Sequence, residues 1–138
     1  NVLQESTATE LVRFRSSGEY GLVASKPIPR GTILGEYFGT LEYMPKKNVG
    51  NDGFRLDFKT RSKHGKRLQI NGGMRRGLVA WANHSCDAVA GLFQVGYGRL
   101  STVVAITLRE IQTGQEVTVS YGKKLWFVCR CGFEHCCH

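Results

Sequence analysis

Cys129-Arg130-Cys131 and Cys136 set three thiols in a C-x-C-x4-C pattern within eight residues, at the end of a 138-residue chain. Thiolates are soft ligands, and a closed structural zinc site takes four nitrogen or sulfur donors. The tail itself offers His135, Cys137 or His138 as the fourth. The alternative is Cys86, the one cysteine outside the tail, which would pin the tail against its own segment. Five cysteines, an odd number with C-x-C and C-C neighbours, fit poorly into a disulfide framework. The expectation is a metal in a reducing compartment.

Three further segments carry reactive or permissive residues. Asn83-His84-Ser85-Cys86 follows an apolar stretch, and a Cys–His nucleophile pair is one reading of it. Adjacent side chains rarely face each other, however, and no third residue orients His84, so a hydrogen-bonded polar turn is the plainer reading. Ser17-Gly18-Glu19-Tyr20-Gly21 places two glycines where a tight turn enters a strand, or where backbone could approach a ligand closely. Glu116-Val117-Thr118-Val119-Ser120-Tyr121-Gly122 ends on a tyrosine just before the tail.

The elements that must position these residues read as strands. Leu11–Phe14, Tyr20–Ser25, Thr32–Phe38, Phe54–Phe58, Arg67–Ile70, Leu92–Tyr97, Leu100–Ile106 and Glu116–Tyr121 are short runs rich in β-branched, aromatic and leucine residues, bounded by turn formers. One short helix is predicted over Arg75–Ala82, with Leu78, Val79, Trp81 and Ala82 as its buried stripe. Pro27-Ile28-Pro29-Arg30-Gly31 and Arg109–Gly114 read as turns, and Met44–Gly53 as the mobile loop. The prediction is one mainly β domain with a cysteine-rich tail.

Composition bounds the function. The chain is long enough for one core and too short for two. No apolar run approaches the ~18–20 residues of a membrane span. Asn1 to Glu10 is polar with no apolar stretch behind it, so no secretory leader is expected, and the missing initiator methionine reads as a piece of a longer chain. Nineteen Lys and Arg against eleven Asp and Glu leave a net charge of +8, which suits an anionic partner as well as a merely basic surface. Arg61, Lys63, Lys66 and Arg67 cluster, as do Arg75 and Arg76, without the aromatic interleaving of a single-strand binder.

Taken in order, these segments resemble a SET-domain protein lysine methyltransferase with a post-SET zinc motif. The resemblance rests on Gly21 to Gly39, on Asn83-His84-Ser85-Cys86, on Ile106 to Ile111 with Gly114 to Gly122, and on the C-x-C-x4-C tail, with no cysteine cluster ahead of the domain. It implies a SET domain over 11–122 and a post-SET segment over 123–138. The implied fold is one of short curved sheets whose C-terminal segment closes a pseudoknot near Asn83. It implies S-adenosylmethionine as co-substrate, contacted around Glu19, Tyr20, Phe54, Asn83 and His84, with Trp126 or Phe127 packed nearby. It implies Tyr121 as the catalytic tyrosine, Tyr37 in the lysine channel, and one structural zinc on Cys86, Cys129, Cys131 and Cys136.

The resemblance further implies a histone or other lysine-bearing protein as substrate, and residence in the nucleus on chromatin. Asp52, Asp57, Glu36 or Glu42 would form an acidic groove for a basic tail, while the basic surface would meet nucleosomal DNA. No membrane partner is expected. The sequence departs from the family pattern at Glu19 (where a glycine is usual), Ala80 (an arginine), Ala88-Val89 (Pro-Asn) and Val119 (an aromatic residue). With Glu19 in place, the turn there must differ or be carried by Gly18. Glu19, Ala80 and Val119 favour the alternative of a catalytically weak or inactive module that binds chromatin or a partner protein.

Overall fold

Short apolar runs cut by glycine and proline become strands too brief to stand alone, and they survive by sharing neighbours in three small sheets. The computed structural model describes residues 5–44, 53–58, 62–74, 76–97, 100–123, 125 and 127–138. In chain order the elements are β1 (Thr9–Arg13), β2 (Tyr20–Ala24), β3 (Ile33–Glu36), β4 (Thr40–Tyr43), β5 (Arg55–Asp57), β6 (Leu68–Asn71), the 3-10 turn η1 (Leu78–Trp81), β7 (Asn83–His84), β8 (Ala90–Tyr97), β9 (Leu100–Thr107) and β10 (Glu116–Val119). The strands order as β1-β2-β10-β7, β3-β9-β8 and β4-β6-β5. The fold is mainly β, as expected, and no described helix is long and apolar enough to cross a membrane.

The closing segment sits where the sequence asks for it. β10 runs antiparallel to β2 and parallel to β7, pairing Thr118 with Asn83 and Val119 with His84. The C-terminal strand is thereby lodged against the Asn83 segment, the closure expected of the pseudoknot. Its odd positions, Val117 and Val119, are 1% and 2% exposed and anchor it in the core. The two predicted turns clasp each other beneath. Ile28 and Ile111 exchange both backbone hydrogen bonds, at 2.8 and 2.9 Å, and both side chains are fully buried. β9 is the central strand of its sheet, which is why Val103, Val104 and Ala105 are buried in succession instead of alternating.

The predicted helix over Arg75–Ala82 is corrected to the four-residue 3-10 turn η1. Its N-cap, Gly77, is extended and offers no side-chain cap. Instead the Glu5 carboxylate accepts the Leu78 N–H. A three-residue period puts Val79 and Ala82 on one side, and these, with Ala80, are the buried residues. Trp81 is only partly buried and packs against the edge of the core. β4 was not predicted because its alternation is inverted. Glu42 faces inward and accepts from Arg55 (2.7 Å), Gln69 (2.6 Å) and Asn71 (3.3 Å), while Leu41 and Tyr43 remain more than half exposed. Most of the predicted mobile loop, with Asp52, and also Arg61, Arg75 and Trp126, lies outside the described residues.

The two glycines of the Ser17–Gly21 segment serve different ends. Gly18 has φ +74° and makes the turn, the second of the two alternatives open with Glu19 beside it. Gly21 lies within β2, where a Cβ would meet Asn83 Nδ2 at 2.8 Å and a Glu116 oxygen at 2.9 Å. The first glycine satisfies a backbone angle, and the second makes room for Asn83.

Candidate functional site

Two cavities flank the crossing of η1, β7 and β10. The larger, about 790 Å³, is walled by Glu19 from the β1–β2 turn and Tyr20 of β2, by Phe54, by Asn83 and His84 of β7, and by the tail from Phe127 to Cys131. It therefore gathers all five residues expected around the co-substrate, and Phe127 with them. Its volume lies within the range of small-molecule sites. Trp81, which sequence reasoning had assigned to a helix core, proves to be a wall of it. Its ring centroid lies 5.4 Å from Tyr20 and 5.2 Å from Phe54, and the Arg76 guanidinium stacks 3.7 Å over Phe54.

The second cavity, about 410 Å³, is the more apolar. Tyr37, Leu56, Val79, Ala82, Leu92, Val103 and Val119 line it, with Arg55, Asp57, Gln94 and Ser120 as polar members. Leu92, Gln94 and Val103 carried no sequence signal, because an inward strand residue at a cavity reads like any core residue. Gly53, Ala80 and Tyr121 line both cavities, so the two spaces meet at these three residues. The expected acidic groove is only partly realised. Asp57 reaches the second cavity but pairs with exposed Arg67 at 3.2 Å, Glu36 accepts from Thr102, and Glu42 is held in the β4–β6–β5 network. Of the basic cluster, Lys63, Lys66 and Arg67 are exposed, with Lys66 lying over the Tyr43 ring at 5.2 Å.

Tyr121 is held at both ends. Its hydroxyl donates to the Ala82 carbonyl at 2.6 Å, and its backbone N–H donates to His84 Nδ1 at 3.0 Å. Burial, and then the Glu116 charge, push its phenol up to about 12, so it stays neutral at ordinary pH. His84 is pushed down from the usual imidazole range by burial and by His138. Asn83 donates through Nδ2 to the Tyr20 carbonyl (3.0 Å) and to Glu116 (2.9 Å), which ties β7 to β2 and β10 beneath the larger cavity.

The cysteines converge at the far wall. The Sγ atoms of Cys86, Cys129, Cys131 and Cys136 all lie within 4.8 Å of one another, with Cys86 3.8 Å from Cys129 and 3.6 Å from Cys136. A tetrahedron with zinc–sulfur bonds of about 2.3 Å has sulfur–sulfur edges of about 3.8 Å. The donor set and spacing therefore fit one zinc, and the lone Cys86 completes the tail's three thiols. Without a metal the clustered thiols divide: backbone N–H groups of Cys86 and Phe133 favour the Cys131 thiolate, while Cys129 and Cys136 hold their protons more tightly. Cys137 is exposed, 3.6 Å from Cys86. His84, Cys86 and His138 form a second grouping of metal-ligand type.

Comparison with known proteins gives one family. A family profile described as "SET domain" matches residues 19–122. A "SET domain-containing protein" of Phaeosphaeria nodorum is 30% identical across 99% of the chain and 22% of its own length. Human "Histone-lysine N-methyltransferase EHMT1" is 27% identical across 94% of the chain and 11% of its own length. A Cryptococcus neoformans "Histone-lysine N-methyltransferase, H3 lysine-36 specific" is 27% identical across 85% and 15%. The chain thus spans less than a quarter of each of these relatives.

Proposed function

The chain belongs to the SET-domain family, and from that premise we propose that it transfers methyl groups from S-adenosylmethionine to a lysine side chain of a protein, with a histone as the substrate. The observation that carries this reading is the meeting of a large, partly polar cavity with a narrower apolar one at Gly53, Ala80 and Tyr121. A cofactor in the first and a lysine in the second would approach only there. Bound S-adenosylmethionine would supply an electrophilic methyl group on a sulfonium sulfur. Glu19, Tyr20, Phe54, Asn83 and His84 would hold it, with Trp81 as an added aromatic wall.

The chain's own contribution is desolvation and alignment. A lysine ammonium, with a pKa of about 10.4 in water, must lose a proton before its nitrogen can attack. Leu56, Leu92, Val103 and Val119 disfavour the charged form and lower that pKa, so the proton leaves to solvent. Tyr121 is neutral and already donates its O–H to Ala82, so it meets the amine as an acceptor. The amine N–H then points at the phenol oxygen, which turns the lone pair elsewhere, and Tyr37 lines the same cavity to confine it. Residues 123–138 would act as a post-SET segment whose zinc, on Cys86, Cys129, Cys131 and Cys136, orders the outer wall of the cofactor cavity. Nuclear, chromatin-bound residence and contact of the basic surface with nucleosomal DNA complete the reading.

Methyl-labelled cofactor incubated with histones and with nucleosomes, read by mass spectrometry on lysines, tests it. Transfer is expected, and Tyr121→Phe should lower kcat by about 10²–10³-fold in a folded protein. Failure of the zinc-loaded chain to bind S-adenosylmethionine by calorimetry would defeat the enzyme reading in favour of a binding module.

A further inference from the structure

His84 sits between the two features that the proposed function treats separately, the cysteine cluster and Tyr121. Its Nδ1 lies 3.0 Å from the Tyr121 backbone nitrogen, and its Nε2 lies 3.5 Å from Cys86 Sγ. A backbone N–H can only donate, so Nδ1 must present its lone pair. A neutral imidazole carries one proton, which is therefore on Nε2 and faces the Cys86 sulfur. A metal-bound thiolate is an acceptor, so the polarity of the chain is consistent from end to end.

We propose that His84 is a positioning residue that donates from Nε2 to the Cys86 thiolate while accepting the Tyr121 N–H, and so ties the metal cluster to the tyrosine where the cavities meet. The inference rests on the zinc and methyltransferase reading above. It also disposes of the grouping of His84, Cys86 and His138 as a second metal site. A metal on Nε2 would move the proton to Nδ1, where it would face the Tyr121 N–H, donor against donor. Tyr121 is also anchored two residues before His84, through its hydroxyl on the Ala82 carbonyl. The short stretch from Ala82 to Cys86 thus holds both ends of Tyr121 and one corner of the metal site. The His84 ring also packs against the rings of Tyr121 at 5.5 Å, Phe127 at 6.1 Å and His138 at 5.5 Å.

The test uses the zinc-loaded 138-residue chain with 15N-labelled histidine. A long-range proton–nitrogen spectrum should give His84 as the Nε2–H tautomer, and replacement of zinc by 113Cd should produce a coupling between cadmium and that proton across the sulfur. An Nδ1–H tautomer, a cationic ring, or an Nε2 proton uncoupled to cadmium overturns the proposal. His84→Asn keeps an oxygen acceptor near the Nδ1 position and loses the donor. It should surrender zinc to a chelator about tenfold more readily, the usual effect of removing an outer hydrogen bond to a metal ligand. Its Tyr121 amide resonance should stay near the wild-type position, whereas His84→Phe should move it. Wild-type zinc retention in His84→Asn, or equal movement of the amide in both variants, overturns the proposal. None of these readouts needs turnover, so they can succeed where methyl transfer fails on every substrate tried.

Discussion

The larger cavity has two walls of opposite construction. One, made of β2, β7 and β10, is a hydrogen-bonded sheet seated on residues such as Leu22, Val117 and Val119, all 1–2% exposed. The other, the tail from Phe127 to His138, has no strand or helix, and its residues are partly or fully exposed. Hydrophobic burial can hold the first wall alone, whereas the second has too little apolar area to offset the entropy of ordering it. A metal on the four clustered thiols would supply what is missing, and the cavity would then depend on two independent sources of order.

Removing the metal should break that comparison most visibly. Structural zinc binding in small domains amounts to about 10–16 kcal/mol. Chelation should therefore release residues 127–138 and weaken S-adenosylmethionine binding by more than about 100-fold, measured by calorimetry. Hydrogen exchange should leave the β2 and β10 amides protected. Loss of protection there would mean that the two walls fold as one unit.

Ile111→Ala probes the opposite wall. Ile111 is 0% exposed and is clasped to Ile28, and such truncations cost about 2–5 kcal/mol. Denaturant melts should show that loss, while zinc stoichiometry in the folded fraction stays at about one. A third, smaller effect lies at the junction. Tyr121 has its phenol raised from 10 to about 12 in the folded chain, so folding holds this proton more tightly than the unfolded chain does. Its contribution is fully present below pH 10 and is lost as pH rises through about 12. Stability should fall by about 2–3 kcal/mol across that window. The step should vanish in Tyr121→Phe, and a step that persists there must come from another group.

The two walls also differed in how much could be read from sequence. Cysteine arithmetic offered Cys86 as one possible fourth ligand beside His135, Cys137 and His138, and only the resemblance to the family chose it. β10 and β2 were legible as short runs of strand-forming residues bounded by turn formers. Trp81 was not, since a 3-10 period and an α period assign it to different faces, and only the fold chooses between them. β4 was missed because Glu42 points inward to Arg55, Gln69 and Asn71, a polar pattern that a search for apolar alternation passes over. The meeting of the cavities at Gly53, Ala80 and Tyr121 brings together three distant parts of the chain, two of them without reactive side chains.

The smallest expected effect is the sharpest test of what belongs to the metal wall. Cys137 Sγ lies 3.6 Å from Cys86, as near as Cys136 does. Distance to Cys86 alone therefore cannot separate ligand from bystander. Mutual distance can, because only Cys86, Cys129, Cys131 and Cys136 lie together within 4.8 Å, and Cys137 is the exposed one of the five. Cys137→Ser should then keep one zinc by elemental analysis and leave cofactor binding unchanged, whereas Cys86→Ser should lose both. Zinc loss in Cys137→Ser with retention in Cys86→Ser would make the tail a self-contained site and sever it from the β7 segment.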